Sequence, residues 1–144
     1  MKDGVILLVE DNADDEALTV RALEKNRIRN RIVVARDGVE AIDYLLGTGE
    51  PTGGGAPTPI LILLDLKLPK IDGLQVLQRV RSNKRTCHIP VVILTSSNQE
   101  RDILAGYDLG ANSYVQKPVD FIQFTEAVRQ LGLYWLLLNV PSPR

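Results

Sequence analysis

Five aliphatic residues in a row, Ile60 to Leu64, run straight into an aspartate at position 65, and no other stretch constrains the fold as tightly. The run is too short for a helix and has no polar face, so it reads as a strand covered on both sides. At about 3.3 Å per residue such a strand spans about 17 Å and delivers Asp65 to the rim of a sheet, where open α/β folds place their chemistry. Pro69 and Asp72-Gly73 then turn the chain back. A single acid on a strand tip could be a helix cap or an ion-pair partner. Val5 to Val9 is a second buried-strand pattern, however, and it too ends in acid, at Glu10 and Asp11. If the two strands are parallel neighbours, three carboxylates meet.

The chain alternates strand and helix patterns. Ala17, Leu18, Val20, Ala22 and Leu23 form the apolar face of a helix over residues 14–26, with Asp14, Asp15 and Glu16 favouring its N-terminal dipole end. Ile32 to Ala35 reads as a strand. Asp37-Gly-Val-Glu40 is a capping-box pattern opening a helix to Leu46, which Gly47 closes. Pro51 to Pro59 reads as a surface loop, since the two strands before it could not close a core alone. Its three glycines precede a strand instead of following one, which argues against a phosphate loop. Asp72-Gly-Leu-Gln75 caps a helix carrying Leu74, Leu77 and Val80. Val91 to Leu94 is a fourth strand, leading to Thr95. Ser97-Asn-Gln-Glu100 caps a helix with Ile103, Leu104 and Tyr107 that ends near Gly110. Ser113 to Gln116 is a weaker strand before Lys117-Pro118, and Asp120-Phe-Ile-Gln123 starts the last helix. Five such units with right-handed crossovers make an α/β doubly wound parallel sheet.

At 144 residues, 44% hydrophobic and 24% charged, the chain is long enough for one domain with a real core. A formal net charge of −1 argues against nucleic acid as the default partner. The basic run Arg21, Lys25, Arg27, Arg29, Arg31 reads as a solvated helix face and turn. Cys87 is the only cysteine, so no intrachain disulfide can form, and the N-terminus lacks a signal-peptide pattern; the cytoplasm is the expected compartment.

On this topology one sheet edge collects Glu10, Asp11, Asp65, Thr95 and Lys117. Two carboxylates about 4 Å apart repel by about 4 kcal/mol at an effective dielectric near 20, so three ionised acids need a cation or protons. Oxygen-only ligands at a shallow rim suit Mg²⁺. His88 precedes Pro90 at the opposite end of its strand, which argues against zinc. A divalent ion beside one carboxylate, with a lysine and a hydroxyl opposite, is equipment for phosphoryl transfer to that carboxylate.

From about Val5 to Leu131 the chain resembles the receiver domains of two-component response regulators. That resemblance implies a flavodoxin-like sheet of five parallel strands in the order 2-1-3-4-5, with residues 1–144 as a single receiver domain, residues 131–144 as an apolar C-terminal extension, and no output domain. It implies Asp65 as phosphoacceptor, Glu10, Asp11 and Asp65 with the backbone carbonyl of Lys67 as Mg²⁺ ligands, and Thr95 and Lys117 as partners of the phosphoryl group. Tyr114 resembles the aromatic that moves with Thr95, and Lys117-Pro118 would be a cis peptide bond. The implied partner is a sensor histidine kinase, with partner binding or onward phosphotransfer as output. The protein would catalyse only its own Mg²⁺-dependent phosphorylation and dephosphorylation. Tyr44-Leu-Leu-Gly-Thr-Gly-Glu50 and the tail from Leu131 to Asn139 are similar to single-domain regulators serving phytochrome-type kinases. Glu10 stands where an aspartate is more usual, and Lys67 puts a cation two residues after Asp65.

Competing readings are weaker. An aspartate-nucleophile phosphohydrolase needs a second Asp where this chain has Lys67, and a flavin or nucleotide binder needs an anion-friendly loop where Glu10-Asp11 stand. A pseudo-receiver that only binds a partner would keep the fold without the chemistry. Phe121, Phe124, Val128 and Leu131 supply one core-facing stripe on the last helix, so the run Leu133, Tyr134, Trp135, Leu136, Leu137, Leu138 needs further cover. It is too short to span a bilayer and has no basic face for a membrane surface, which leaves a homodimer through Leu133, Tyr134, Trp135 and Leu137 as the expectation, with a tail folded onto its own domain as the alternative.

Overall fold

A computed structural model describes residues 4–47, 57–96, 99–117, 121–132 and 134–135. The five strands are β1 Val5–Val9, β2 Arg31–Ala35, β3 Leu61–Leu64, β4 Val91–Thr95 and β5 Ser113–Gln116; they pair in parallel in the order β2-β1-β3-β4-β5. The helices between and after them are α1 Ala13–Lys25, α2 Gly38–Leu46, α3 Gly73–Ser82, α4 Glu100–Asp108 and α5 Phe121–Gly132.

Successive side chains on a strand point to opposite faces, and the central strands divide their aliphatic residues between two layers accordingly. Ile6, Leu8, Leu61, Leu63, Val92 and Leu94 pack with Ala22 and Leu23 of α1 and Val128 of α5. Leu7, Val9, Ile62, Leu64, Val91 and Ile93 pack with Ala41 and Ile42 of α2 and Val76, Leu77 and Val80 of α3. Burial on both faces is why β1, β3 and β4 read as unbroken apolar runs, whereas the edge strands β2 and β5 are only partly covered.

Local signals set most helix ends. Asp72 and Gln75 form a reciprocal capping box at α3. At α2 the Asp37 side chain accepts from the Glu40 amide at 2.8 Å, but Glu40 reaches the amide of Arg36 at 3.2 Å instead of that of Asp37. Gly47 closes α2 in the left-handed conformation, φ 55°. Helix α1 starts one residue before the expected boundary because Asn12 caps it, and its buried face is Thr19, Ala22 and Leu23 with Leu18 and Val20 partly covered, while Ala17 is exposed. Helix α4 starts at Glu100 with no side-chain cap bond from Gln99, and the expected cap Ser97 lies outside the described residues, as does Asp120 before α5. Leu104 and Tyr107 of α4 face outward, 56% and 50% exposed. Gly106 alone is buried on that helix; a Cβ there would lie 2.7 Å from Ile93 Cδ1, so α4 lies close to the sheet through one small residue. Among the described residues no helix is long and apolar enough to cross a membrane.

Candidate functional site

Backbone pairing continues just past the strands and sets out the site. The amide of Glu10 bonds Ala35 O at 2.9 Å, that of Asp65 bonds Val9 O at 3.1 Å, and that of Lys117 bonds Thr95 O at 2.7 Å. Each side chain therefore leaves the sheet at one edge in register with its neighbour. Asp65 cannot retreat, because α3 begins directly behind it: a Cβ on Gly73 would lie 2.2 Å from Asp65 O and 2.6 Å from the Leu66 Cα. The β3–α3 loop packs equally closely on α2, where a Cβ on Gly38 would meet Ile71 O at 2.0 Å, and Lys70 pairs with Asp37 at 3.3 Å.

Asp65 is 7% exposed and both of its carboxylate oxygens are engaged. Its Oδ1 accepts from Thr95 Oγ1 at 2.8 Å and from the Lys67 amide at 3.1 Å, and its Oδ2 accepts from Lys117 Nζ at 3.0 Å. The same ammonium donates to Glu10 Oε1 and, at 3.0 Å, to Asp15 Oδ2. The Asn12 amide donates to the other oxygen of Glu10 at 3.3 Å. Carboxylate oxygens of Glu10, Asp15 and Asp65 all lie within 4.8 Å of one another. Three hard oxygen donors with surplus negative charge fit a hard divalent cation, whose charge would offset that of the carboxylates.

The charge balance separates the acids. Burial pushes Glu10 up to about 7; the Lys117 hydrogen bond opposes this and the charge of Asp65 adds to it. Burial works against Asp65 too, but the charge and hydrogen bond of Lys117, the Thr95 hydroxyl and the Lys67 amide hold it below the usual carboxylate range. Burial opposes the charge on Lys117, and its bonds to Glu10 and the charge of Asp65 overcome it, so the ammonium is held more firmly than in water. A carboxyl raised in the folded state contributes stability that is present below its unfolded value, 4.5, and lost as pH rises through its folded value, about 7. In chelator the folded protein is therefore expected to lose up to about 3 kcal/mol between those limits. Urea unfolding at closely spaced pH values checks this, and Glu10→Gln should flatten the slope; an equal slope in that variant would refute the assignment.

A family model described as the response regulator receiver domain matches residues 6–129. The chain belongs to that family. The receiver is 42% identical over 140 residues to the probable methanogenesis regulatory protein FilR2 of Methanothrix harundinacea, covering 96% of this chain and 88% of the relative. It is 39% identical over 132 residues to the response regulator Rcp1 of Synechocystis sp., covering 92% and 88%. Among solved structures it is similar to the phosphorylated cyanobacterial phytochrome response regulator RcpA, at 38% identity and TM-score 0.89 over 99% of this chain and 100% of that one. It is likewise similar to the Mn²⁺-bound form of Rcp1, at 37% identity and TM-score 0.87 over 96% and 99%. The receiver fold and an acidic cluster suited to a hard cation thus agree.

Within the receiver, the sequence-expected residues do not all converge. Glu10, Asp65, Thr95 and Lys117 meet. Asp11 is exposed and stands apart from the carboxylate cluster, lining with Leu66, Lys67, Pro69, Asp72 and Asp102 an open cavity of about 380 Å³ beside the site. Lys67 directs its amide at Asp65 and exposes its side chain. Tyr114 is partly buried against the core, and a Cβ on Gly106 would lie 3.5 Å from its ring. Pro118, and with it the expected cis bond, lies outside the described residues, as do Leu133 and Leu137. Trp135 packs against the core cluster of its own domain that includes Ala22, Leu23 and Val128, edge-on to Tyr134 with ring centroids 4.9 Å apart, and Tyr134 stays 51% exposed. Asp15 is the site residue that sequence reasoning missed. By sequence it is a dipole-favouring acid in the first turn of α1, and its position one turn beyond Glu10-Asp11 is the available signal.

Proposed function

We propose that this receiver is the phosphoacceptor of a sensor kinase of the phytochrome type, with Asp65 as the accepting residue. The observation that carries the reading is the ionised, almost fully buried Asp65 carboxylate with Thr95 and Lys117 already against it. An Asp65 oxygen forms the new O–P bond as the P–N bond of a phosphohistidine breaks, and the imidazole departs with the electron pair. Glu10 and Asp65, with Asp11 and the Lys67 carbonyl on the same acidic edge, would hold Mg²⁺, which would supply charge neutralisation. Lys117 and the Thr95 hydroxyl are placed to take the charge that accumulates on the phosphoryl oxygens. The resulting acyl phosphate changes what these two residues bind, and Tyr114, against the same core, would follow Thr95; partner binding or onward phosphotransfer is the output. The phytochrome assignment is supported by the similarity to RcpA, over nearly the full length of both chains.

The test is phosphotransfer from a panel of phosphorylated histidine kinases, a phytochrome among them, with acetyl phosphate as a kinase-free donor. Label is expected on one aspartate, only with Mg²⁺, and fastest from the phytochrome kinase. Labelling that survives chelator would overturn the chemistry; fastest transfer from another kinase class would overturn the partner.

A further inference from the structure

We infer that Asp15 is a positioning residue that shares the Lys117 ammonium with Glu10 and Asp65 and so sets how readily the site takes up a phosphoryl group. The inference rests on Asp65 being the acceptor. An ammonium has three donor hydrogens and no more. In this structure all three are spoken for, by Glu10, by Asp15 at 3.0 Å and by Asp65 at 3.0 Å, on a side chain only 10% exposed. Acylation of Asp65 frees the one donor that pairs with its carboxylate, and Lys117 can give the added anionic oxygens more than that one donor only if it releases a further partner.

Asp15 is the partner released most cheaply. Its side chain is 40% exposed, against 2% for Glu10, so its carboxylate regains water when the lysine leaves. Its backbone does not move with it, because the Asn12 side chain accepts from the Asp15 amide at 2.9 Å and locks the first turn of α1. A rigidly mounted acid therefore competes with an incoming phosphoryl group for a lysine on a flexible stem. It also leaves a negative charge beside the incoming dianion.

Asp15→Asn should tighten binding of the phosphoryl mimic beryllofluoride, at saturating Mg²⁺, by about fivefold, the size of a partly exposed ion pair. Glu16→Gln is the control: it removes the same charge from the same turn, but Glu16 pairs with Arg36 and does not touch Lys117. A second readout needs neither metal nor phosphoryl mimic. The ¹⁵Nζ resonance of Lys117 in the free protein should shift and exchange faster in Asp15→Asn and stay put in Glu16→Gln. If the two variants bind beryllofluoride alike, or Asp15→Asn leaves the Lys117 resonance unmoved, Asp15 does not hold the lysine. If wild type binds no beryllofluoride at all, the acceptor reading fails and the inference falls with it.

Discussion

Asp65→Asn is expected to reduce phosphoryl labelling by acetyl phosphate to background, a loss of about a hundredfold or more, because an amide oxygen cannot become the acyl phosphate. The variant should nevertheless fold. The carboxamide oxygen introduced by the substitution can still accept from Thr95 Oγ1 and the Lys67 amide, which reach the same oxygen of Asp65 at 2.8 and 3.1 Å, and Lys117 keeps Glu10 and Asp15. Removing one of three crowded negative charges offsets the loss of its ion pair, so stability should change by no more than about 1 kcal/mol. The charge of Asp65 is one of the causes that raise Glu10, so the pH slope of the metal-free protein should become shallower as well. Labelling followed by mass spectrometry, with urea unfolding on the same samples, separates these effects. Retained labelling at the wild-type rate would place the acceptor elsewhere.

The largest stability effect expected outside the aliphatic core is at the other end of the sheet. Arg81, in the last turn of α3, donates to Gly110 O through Nε at 3.0 Å and Nη2 at 2.8 Å, to Asn112 Oδ1 at 2.8 Å, to Ile89 O at 2.7 Å and to Cys87 O at 3.1 Å. Asn112 passes the connection on, accepting from the Val91 amide at 2.9 Å and donating its own amide to Val91 O at 2.8 Å. One guanidinium therefore ties the segment entering β4 to the segment entering β5. The fit depends on Gly110: its φ is 97°, and a Cβ there would lie 2.9 Å from Arg81 Nε. Burial pushes the guanidinium below its ordinary range, the mark of a cation taken partly out of water.

Arg81→Ala leaves several carbonyls without a partner and should cost about 3 kcal/mol, lowering the urea midpoint by about 1–2 M. Arg81→Lys should recover less than half, because a single ammonium cannot span the fork of acceptors that the planar guanidinium reaches. Phosphorylation of the folded variant should stay within about twofold of wild type, since the strand ends carrying Glu10, Asp65 and Thr95 are at the opposite edge. A midpoint shift of less than about 0.3 M would show that these bonds are replaced by water at little cost.

Much of this receiver could be read from its residues alone, for a physical reason. Strands buried on both faces must be apolar throughout, so β1, β3 and β4 stand out as unbroken runs, and the first polar residue after each run necessarily marks the sheet edge. That logic reached Glu10, Asp65 and Thr95, which the structure brings together with Lys117 after β5. Capping residues such as Asp72 and Gln75 and the closing Gly47 are equally local, and they placed most helix ends within a residue or two. The edge strand β5, half covered, carried a weaker pattern for the same reason that it is half covered.

What the residues alone did not decide are the contacts set by how one element is aimed at another. Whether Asp11 or Asp15 faces Lys117 depends on the angle at which α1 leaves β1, and no periodicity encodes that angle; the structure turns Asp15 inward and Asp11 out. Ala17 and Leu104 look like core residues by spacing, yet the roll of α1 and α4 about their axes exposes both. Arg81 carries no local signal of its role, and only the convergence of two distant loops around Gly110 makes it a tie. Local pattern thus determined which residues are buried in strands and where the sheet edge falls, because hydrophobic burial acts on each element by itself. Tertiary structure decided which charged groups meet, because a contact of about 3 Å depends on the relative pose of elements far apart in sequence.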